Sequence, residues 1–160
     1  MLKKYILLAV FLIMISGPLK AEKTTTNLDE AMAISLSGIL AQKLHLELIA
    51  SNIANINVTR TLTGGPYKRQ VAIFASDFEP GTGKLKGVRL SNIVEDPTPC
   101  KRVYNPGHPD ADAEGYVLMP NVEVSSEMMD LIFATRLYEA NITVFNAAKQ
   151  LANTTFDLSR

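Results

Sequence analysis

The stretch EMMDLIFATRLYEANITVFNAAKQLANTTFD, residues 127–157, decides the fold. Met128, Leu131, Thr135, Tyr138, Ile142, Phe145, Lys149, Ala152 and Phe156 follow one another at intervals that alternate between three and four residues, without a break. Seven of these nine are apolar or aromatic. A stripe that recurs every 3.5 residues over four heptads predicts a helix with a coiled-coil seam, because that period keeps one line of side chains facing a partner. Ser125 or Ser126 stands where an N-cap belongs. Glu127 and Asp130 fall in the expected first turn, where acids meet the positive end of the helix dipole.

A second proline-free stretch, from about Asn27 to Asn57, stands at the other end of the chain. Thr26-Asn27-Leu28-Asp29-Glu30 offers a capping oxygen followed three residues later by an acid. Leu36, Ile39, Leu46, Ile49, Ile53 and Ile56 keep near-helical spacing, with Leu40, Leu44 and Leu48 on a shoulder and Lys43 interrupting the stripe. This face is wider than a strict seam, which implies more than one neighbour. Asn52, Asn55 and Asn57 mark the end, since asparagine tolerates the left-handed conformation that stops helices. Helices of about 31 residues are roughly 46 Å long, more than so small a chain can cover. They either pair with each other or wait for partner chains.

Seven of the eight prolines lie between Pro66 and Pro120, so the middle of the chain cannot be one helix. Tyr67–Phe74, Val88–Glu95, Lys101–Tyr104 and Tyr116–Met119 are short runs of β-branched and aromatic residues bounded by Gly, Pro and Asn clusters, and they read as strands. The expected class is α+β: two long terminal helices, a coiled-coil-like pair, flanking a small antiparallel β module. The expected segments are 1–21, signal-peptide-like; 22–57, N-terminal helix region; 58–123, β-rich module; and 124–160, C-terminal helix.

Acidic and basic side chains balance at 16 each, which excludes the basic footprint of a nucleic-acid binder. Lys3 and Lys4, the apolar run Tyr5 to Ile15 and the small-residue site at Ala21 are ordered as in a secretory signal. Cleavage after Ala21 leaves 13 basic and 16 acidic groups, a formal charge of −3. An uncleaved segment would anchor the chain to a membrane. Cys100 is the one cysteine, so no internal disulfide forms; between Pro99 and Lys101 it reads as a small half-buried residue rather than a nucleophile.

Asp110-Ala111-Asp112-Ala113-Glu114-Gly115 has the opening of a calcium loop, but the twelfth position is Asn121 where a bidentate glutamate is required. The plainer reading is a turn whose aspartates cap their own backbone. His108 and His45 lack the nucleophile or motif that hydrolytic chemistry needs. Gly81-Thr82-Gly83-Lys84 lacks the spacer of a phosphate loop. No catalytic residue, cofactor or metal is assigned.

Three ordered blocks resemble the flagellar basal-body rod proteins. The first runs from Ile34-Ser35-Leu36-Ser37-Gly38-Ile39 through Ser51-Asn52-Ile53-Ala54-Asn55 and Asn57-Val58-Thr59-Arg60-Thr61 to Gly64-Gly65-Pro66-Tyr67-Lys68-Arg69. The second is Ile93-Val94-Glu95-Asp96-Pro97-Thr98-Pro99, then Val103-Tyr104-Asn105-Pro106-Gly107-His108-Pro109-Asp110-Ala111-Asp112 and Glu114 to Val122, and it looks specific to the proximal rod type. The third joins Glu127-Met128-Met129-Asp130-Leu131-Ile132, Arg136-Leu137-Tyr138-Glu139-Ala140-Asn141 and Phe145-Asn146-Ala147-Ala148-Lys149.

The resemblance implies a non-enzymatic subunit whose terminal helices pack around the axis of a helical tube, fold on assembly, and pass torque from motor to hook. Its partners would be copies of itself, other rod proteins, a rod-base adaptor and the membrane ring, in a basal body crossing the periplasm. The expected assembly interface is Leu36, Ile39, Leu46, Ile49, Asn52, Ile53, Asn55, Met128, Leu131, Tyr138, Asn141, Ile142 and Phe145. The chain departs from the family at its signal-like start, since rod proteins use type III export, and at Cys100, where an aromatic residue is more usual. The signal-like start supports a second reading, a periplasmic adaptor or binding protein with a rod-protein fold.

Overall fold

A computed structural model describes residues 24–81 and 83–158. The signal-like stretch 1–21 lies outside the described residues. The elements are helix α1 (Thr24–Ala54), strands β1 (Gln70–Phe78), β2 (Leu85–Glu95), β3 (Lys101–Tyr104) and β4 (Tyr116–Met119), and helix α2 (Val124–Leu158). The architecture is the expected α+β one, with terminal helices flanking antiparallel strands.

The helix ends differ from the sequence reading. Because α1 already includes Thr24, Thr26 and Asn27 lie inside the helix rather than at its cap. It stops at Ala54, and among the described residues only glycines have positive φ, so the asparagines do not end it in the left-handed conformation. The chain instead tightens: the Asn55 N–H donates to the carbonyls of Ser51 and Asn52 at 3.1 and 3.2 Å, and Ile56 N–H to Ile53 at 3.3 Å. Asn55 Nδ2 adds a bond to the Ser51 carbonyl at 2.8 Å, satisfying an acceptor that a helix end leaves open. At α2 the Glu127 N–H donates to the Glu123 carbonyl at 3.0 Å, so Glu123 is the cap and both serines sit inside the first turn.

The β region is two separate two-stranded antiparallel sheets, β1–β2 and β3–β4. Pro97 and Pro99 stand in the link from β2 to β3, without the N–H that a continuing ladder needs. The longer hairpin has irregularities opposite Ile73/Phe74 and Asp77/Phe78. The second of these brings Gly87 against α1: its φ is +128°, and a Cβ there would lie 2.0 Å from Ser37 Oγ. That hydroxyl accepts the Val88 N–H at 3.0 Å, pinning β2 to the helix.

Helix α1 is the centre of the fold, packing against α2, β1 and β2. Much of the core is small: Ala41, Ala134 and Ala148 are buried, with Leu48, Ile49, Val117 and Val122. At Gly38 a Cβ would fall 2.8 Å from the Asn141 side-chain amide, so the two helices approach closely there. Of the two options left open by the helix lengths, pairing with each other is the one the chain adopts.

Candidate assembly interface

The predicted interface residues divide between the interior and the surface of the single chain. Ile49 and Asn52 are 2% and 1% exposed. Ile39, Leu46, Ile53 and Asn55 are half-buried, as are Leu131, Tyr138, Asn141, Ile142 and Phe145 on α2. Only Leu36 and Met128 are well exposed, at 46% and 54%. The middle of the 3.5-residue seam, from Leu131 to Phe145, is thus partly covered, while Met128, Lys149 and Phe156 toward its ends are exposed.

Asn52 is the centre of a buried polar hub. Its Nδ2 donates to the Gln70 carbonyl at 2.9 Å and to Glu127 Oε2 at 3.1 Å. Its Oδ1 accepts from the Gln70 N–H at 3.0 Å and from the Tyr67 hydroxyl at 2.8 Å. All four hydrogen-bonding positions of the amide are occupied, and the two bonds to Gln70 copy the exchange between paired strands. Glu127 is fully buried, and the Arg69 guanidinium meets it at 2.5 Å from Nε to Oε1. The same guanidinium reaches Asp130 at 2.9 Å and Asp96 at 3.5 Å, while the Arg69 N–H donates to Asn121 Oδ1 at 2.7 Å. All three sequence blocks therefore converge on one point, joining α1, both ends of the β1–β2 hairpin and the start of α2.

The ionisation states fit this arrangement. Burial pulls the Arg69 guanidinium down, but its bond to Glu127, the charges of Glu127 and Asp130, and its bond to Asp96 outweigh that and leave it above its ordinary value. Asp96 is held below the carboxylate range first by the Thr98 hydroxyl and N–H, then by Arg69. Burial raises the Tyr67 hydroxyl, against a hydrogen bond from Ser51, with the Glu127 charge adding to the rise. A protonated Tyr67 is the donor that Asn52 needs.

The seam reading missed a second apolar stripe on α2. Met129, Phe133, Leu137, Val144 and Leu151 lie along one flank of the helix and are 52–62% exposed. They recur at four, four, seven and seven residues, a helical spacing that is readable beside the first stripe once sought. On α1, Leu36, Leu40 and Leu44 form a matching ridge at i, i+4 and i+8, 45–54% exposed. The most apolar part of Asn27–Ala54 averages a hydropathy of 1.2 and is long enough to cross a membrane, yet 28% of it is buried. Two helices that already hold each other still present uncovered apolar ridges.

The remaining candidates have structural partners. Asp112 Oδ1 accepts the N–H groups of Glu114 and Tyr116 at 3.0 and 2.8 Å, and Arg102 reaches Oδ2 at 2.9 Å, so this aspartate caps its own turn. Asp110 turns instead to the Thr59 hydroxyl at 2.8 Å and Arg60 at 3.5 Å. His108 Nδ1 accepts the Asp110 N–H at 3.1 Å. His45 packs edge-on against Phe74, centroids 5.5 Å apart. Lys43 pairs with Glu47 at 3.8 Å. Cys100 is half-buried.

Comparison with known proteins gives a consistent set of relatives. Residues 113–158 match the family described as flagellar basal body rod FlgEFG protein, C-terminal. A flagellar basal-body rod protein FlgC of Borreliella burgdorferi is 41% identical over 140 residues, covering 78% of this chain and 92% of the relative. That of Salmonella typhimurium is 41% identical over 127 residues, covering 79% of this chain and 94% of the relative. That of Bacillus subtilis is 39% identical over 134 residues, covering 74% and 89%.

Proposed function

The chain belongs to the FlgC family of flagellar basal-body rod proteins, and from that premise we propose how it works as a structural subunit of the rod. It does no chemistry. The α1–α2 pair is the packing unit, and its outward ridges lie against the helices of neighbouring rod chains, both copies of itself and other rod proteins. An adaptor at the rod base and the membrane ring bound it on one side, and the rod carries torque across the periplasm to the hook. The hub supports this role because it ties the β strands to both helices through charge-assisted bonds, so load on one element is passed to the rest.

The observation that carries the reading is the outer stripe of α2, with Phe133 62% and Leu151 59% exposed beside a seam already partly covered. Completing the burial of a half-exposed side chain of this size is worth about 1 kcal/mol. One stripe of five therefore contributes about 5 kcal/mol, which the entropy of association consumes. A simple dimer does not follow from that magnitude. A helical filament, in which each chain meets several neighbours at once, does. Phe133→Asp tests it: the chain should remain folded but disappear from purified hook–basal bodies, with motility lost. Normal incorporation of this variant would end the proposal.

A further inference from the structure

The short hairpin stands apart from the helices. Strands β3 and β4 pair with each other, and no helix or other strand among the described residues lies against them. Their one buried side chain, Val117 at 2% exposed, shares a cleft of about 320 Å³ with Thr59, Gly65 and Pro66 of the loop between α1 and β1. Asp110 ties the hairpin to the same loop, accepting the Thr59 hydroxyl at 2.8 Å with Arg60 at 3.5 Å. That loop is closed on itself: Tyr67 N–H donates to the Val58 carbonyl at 2.9 Å and Thr61 N–H to the Gly65 carbonyl at 2.8 Å. Residues 58–66 and 99–120 therefore form a second lobe beside a body made of both helices and the β1–β2 hairpin.

The chain crosses between body and lobe four times: after α1, before β1, between β2 and β3, and between β4 and α2. The Tyr67 hydroxyl ties one crossing to Asn52 at 2.8 Å. Asn121 ties the other three through one amide. Its Oδ1 accepts the Arg69 N–H at 2.7 Å, and its Nδ2 donates to the Thr98 carbonyl at 2.9 Å and the Asp96 carbonyl at 3.3 Å. Pro97 and Pro99 have no N–H, so backbone bonding across this link is sparse and a side chain takes its place. A few residues between packed units are where a chain absorbs changes of backbone angle.

We propose that the chain is hinged at this neck, and that Asn121 is a positioning residue whose three bonds fix the angle at which the second lobe projects from the helix pair. The inference goes beyond the rod-subunit reading and stands without it. Asn121 differs from the buried hub in what its loss does. It is half-buried, its partners are backbone groups of connecting segments, and its bond to Thr98 is exposed. Water can replace it there, so its removal loosens the neck without leaving a buried group unpaired.

The test is a pair of distances on the purified full chain. In a Cys100→Ser background, nitroxides are placed on Glu47→Cys in α1 and Lys101→Cys in β3, which span the neck. A second sample carries them on Glu47→Cys and Ser91→Cys, both within the body; all three positions are exposed. Pulsed electron resonance should give one narrow distance for each pair. Asn121→Ala should widen the distribution across the neck, or add a second maximum, and leave the one within the body unchanged. Asn121→Asp keeps the acceptor for the Arg69 N–H and loses both donated bonds, so it should give an intermediate width. A distribution across the neck that is already broad in the parent, or unchanged in Asn121→Ala, would overturn the proposal. So would equal widening of both pairs, because a general loss of packing moves both. If the alanine variant does not fold, Asn121→Asp decides by the same comparison. Unfolding of both variants would mean that Asn121 holds the fold rather than the angle, and would refute the inference.

Discussion

Replacing Asn52 by alanine should be among the most damaging single changes in this chain, although the residue is a small polar one near a helix end. The substitution removes four hydrogen bonds. It leaves the Gln70 N–H and carbonyl, the Tyr67 hydroxyl and one Glu127 oxygen without that partner. Three neutral bonds at about 0.5–1.5 kcal/mol and one to a charged group at about 1.5–3 kcal/mol sum to roughly 3–7 kcal/mol. Water entering the vacated space recovers part of it. The expected cost is about 3–5 kcal/mol, against a total stability on the order of 5–15 kcal/mol. Urea unfolding of the purified chain reads this directly: with a slope of about 2 kcal/mol per molar, the midpoint should fall by about 2 M. Asn55→Ala is the control, because Asn55 bonds only within its own helix end, and it should cost about 0.5–1 kcal/mol. Asn52→Asp should be worse than alanine at neutral pH, since it puts a second carboxylate where the amide now lies 3.1 Å from Glu127. Equal midpoints for Asn52→Ala and Asn55→Ala would refute the hub as a source of stability.

Four further outcomes follow from the same geometry. Gly87→Ala should destabilise the chain by about 2 kcal/mol or more, because it combines a strained φ with a 2.0 Å approach to Ser37 Oγ; a thermal melt of the variant checks this, and paired replacement with Ser37→Gly should recover part of the loss. Asp96 and Asp112 have depressed folded pKa values, so their stabilisation is present above the ordinary carboxylate value near 4 and is lost as pH falls through their folded values. Urea midpoints measured from pH 6 to pH 2 should therefore drop below about pH 4, and the drop should shrink in Asp96→Asn. Phe133→Asp, exposed in the single chain, should change monomer stability by no more than about 0.5 kcal/mol while blocking rod incorporation. Hydrogen exchange in a verified monomer should be slow over residues 38–53 and 127–148 and fast over 149–158, where only Ala152 is partly covered; fast exchange across both helices would mean that the pair forms only on assembly.

The inner seam was legible in the sequence because helical period is a local property. Leu131, Tyr138, Ile142 and Phe145 repeat within a few turns, and any partner must meet them on one side. Strands β3 and β4 were equally legible, bounded by proline and glycine that act on their immediate neighbours. The outer stripe through Phe133 and Leu137 is local too, but a search that stops at the first regular seam passes over it. The hub was not legible. Glu127 reads as an ordinary first-turn acid, and nothing within a few residues of it points to Asn52, 75 positions away.

The sequence by itself determined the classes of element, their order, and the family to which the three blocks belong, since propensity, period and turn chemistry depend on neighbours along the chain. Tertiary structure alone decided which apolar stripe is covered and which stays free. It also decided that Asn52, Arg69 and Glu127 share one buried site, and that Gly38 and Gly87 mark close approaches. Those outcomes depend on distances between segments far apart in sequence. A buried amide or carboxylate is stable only when every partner arrives together, and that condition is met in three dimensions rather than along the chain.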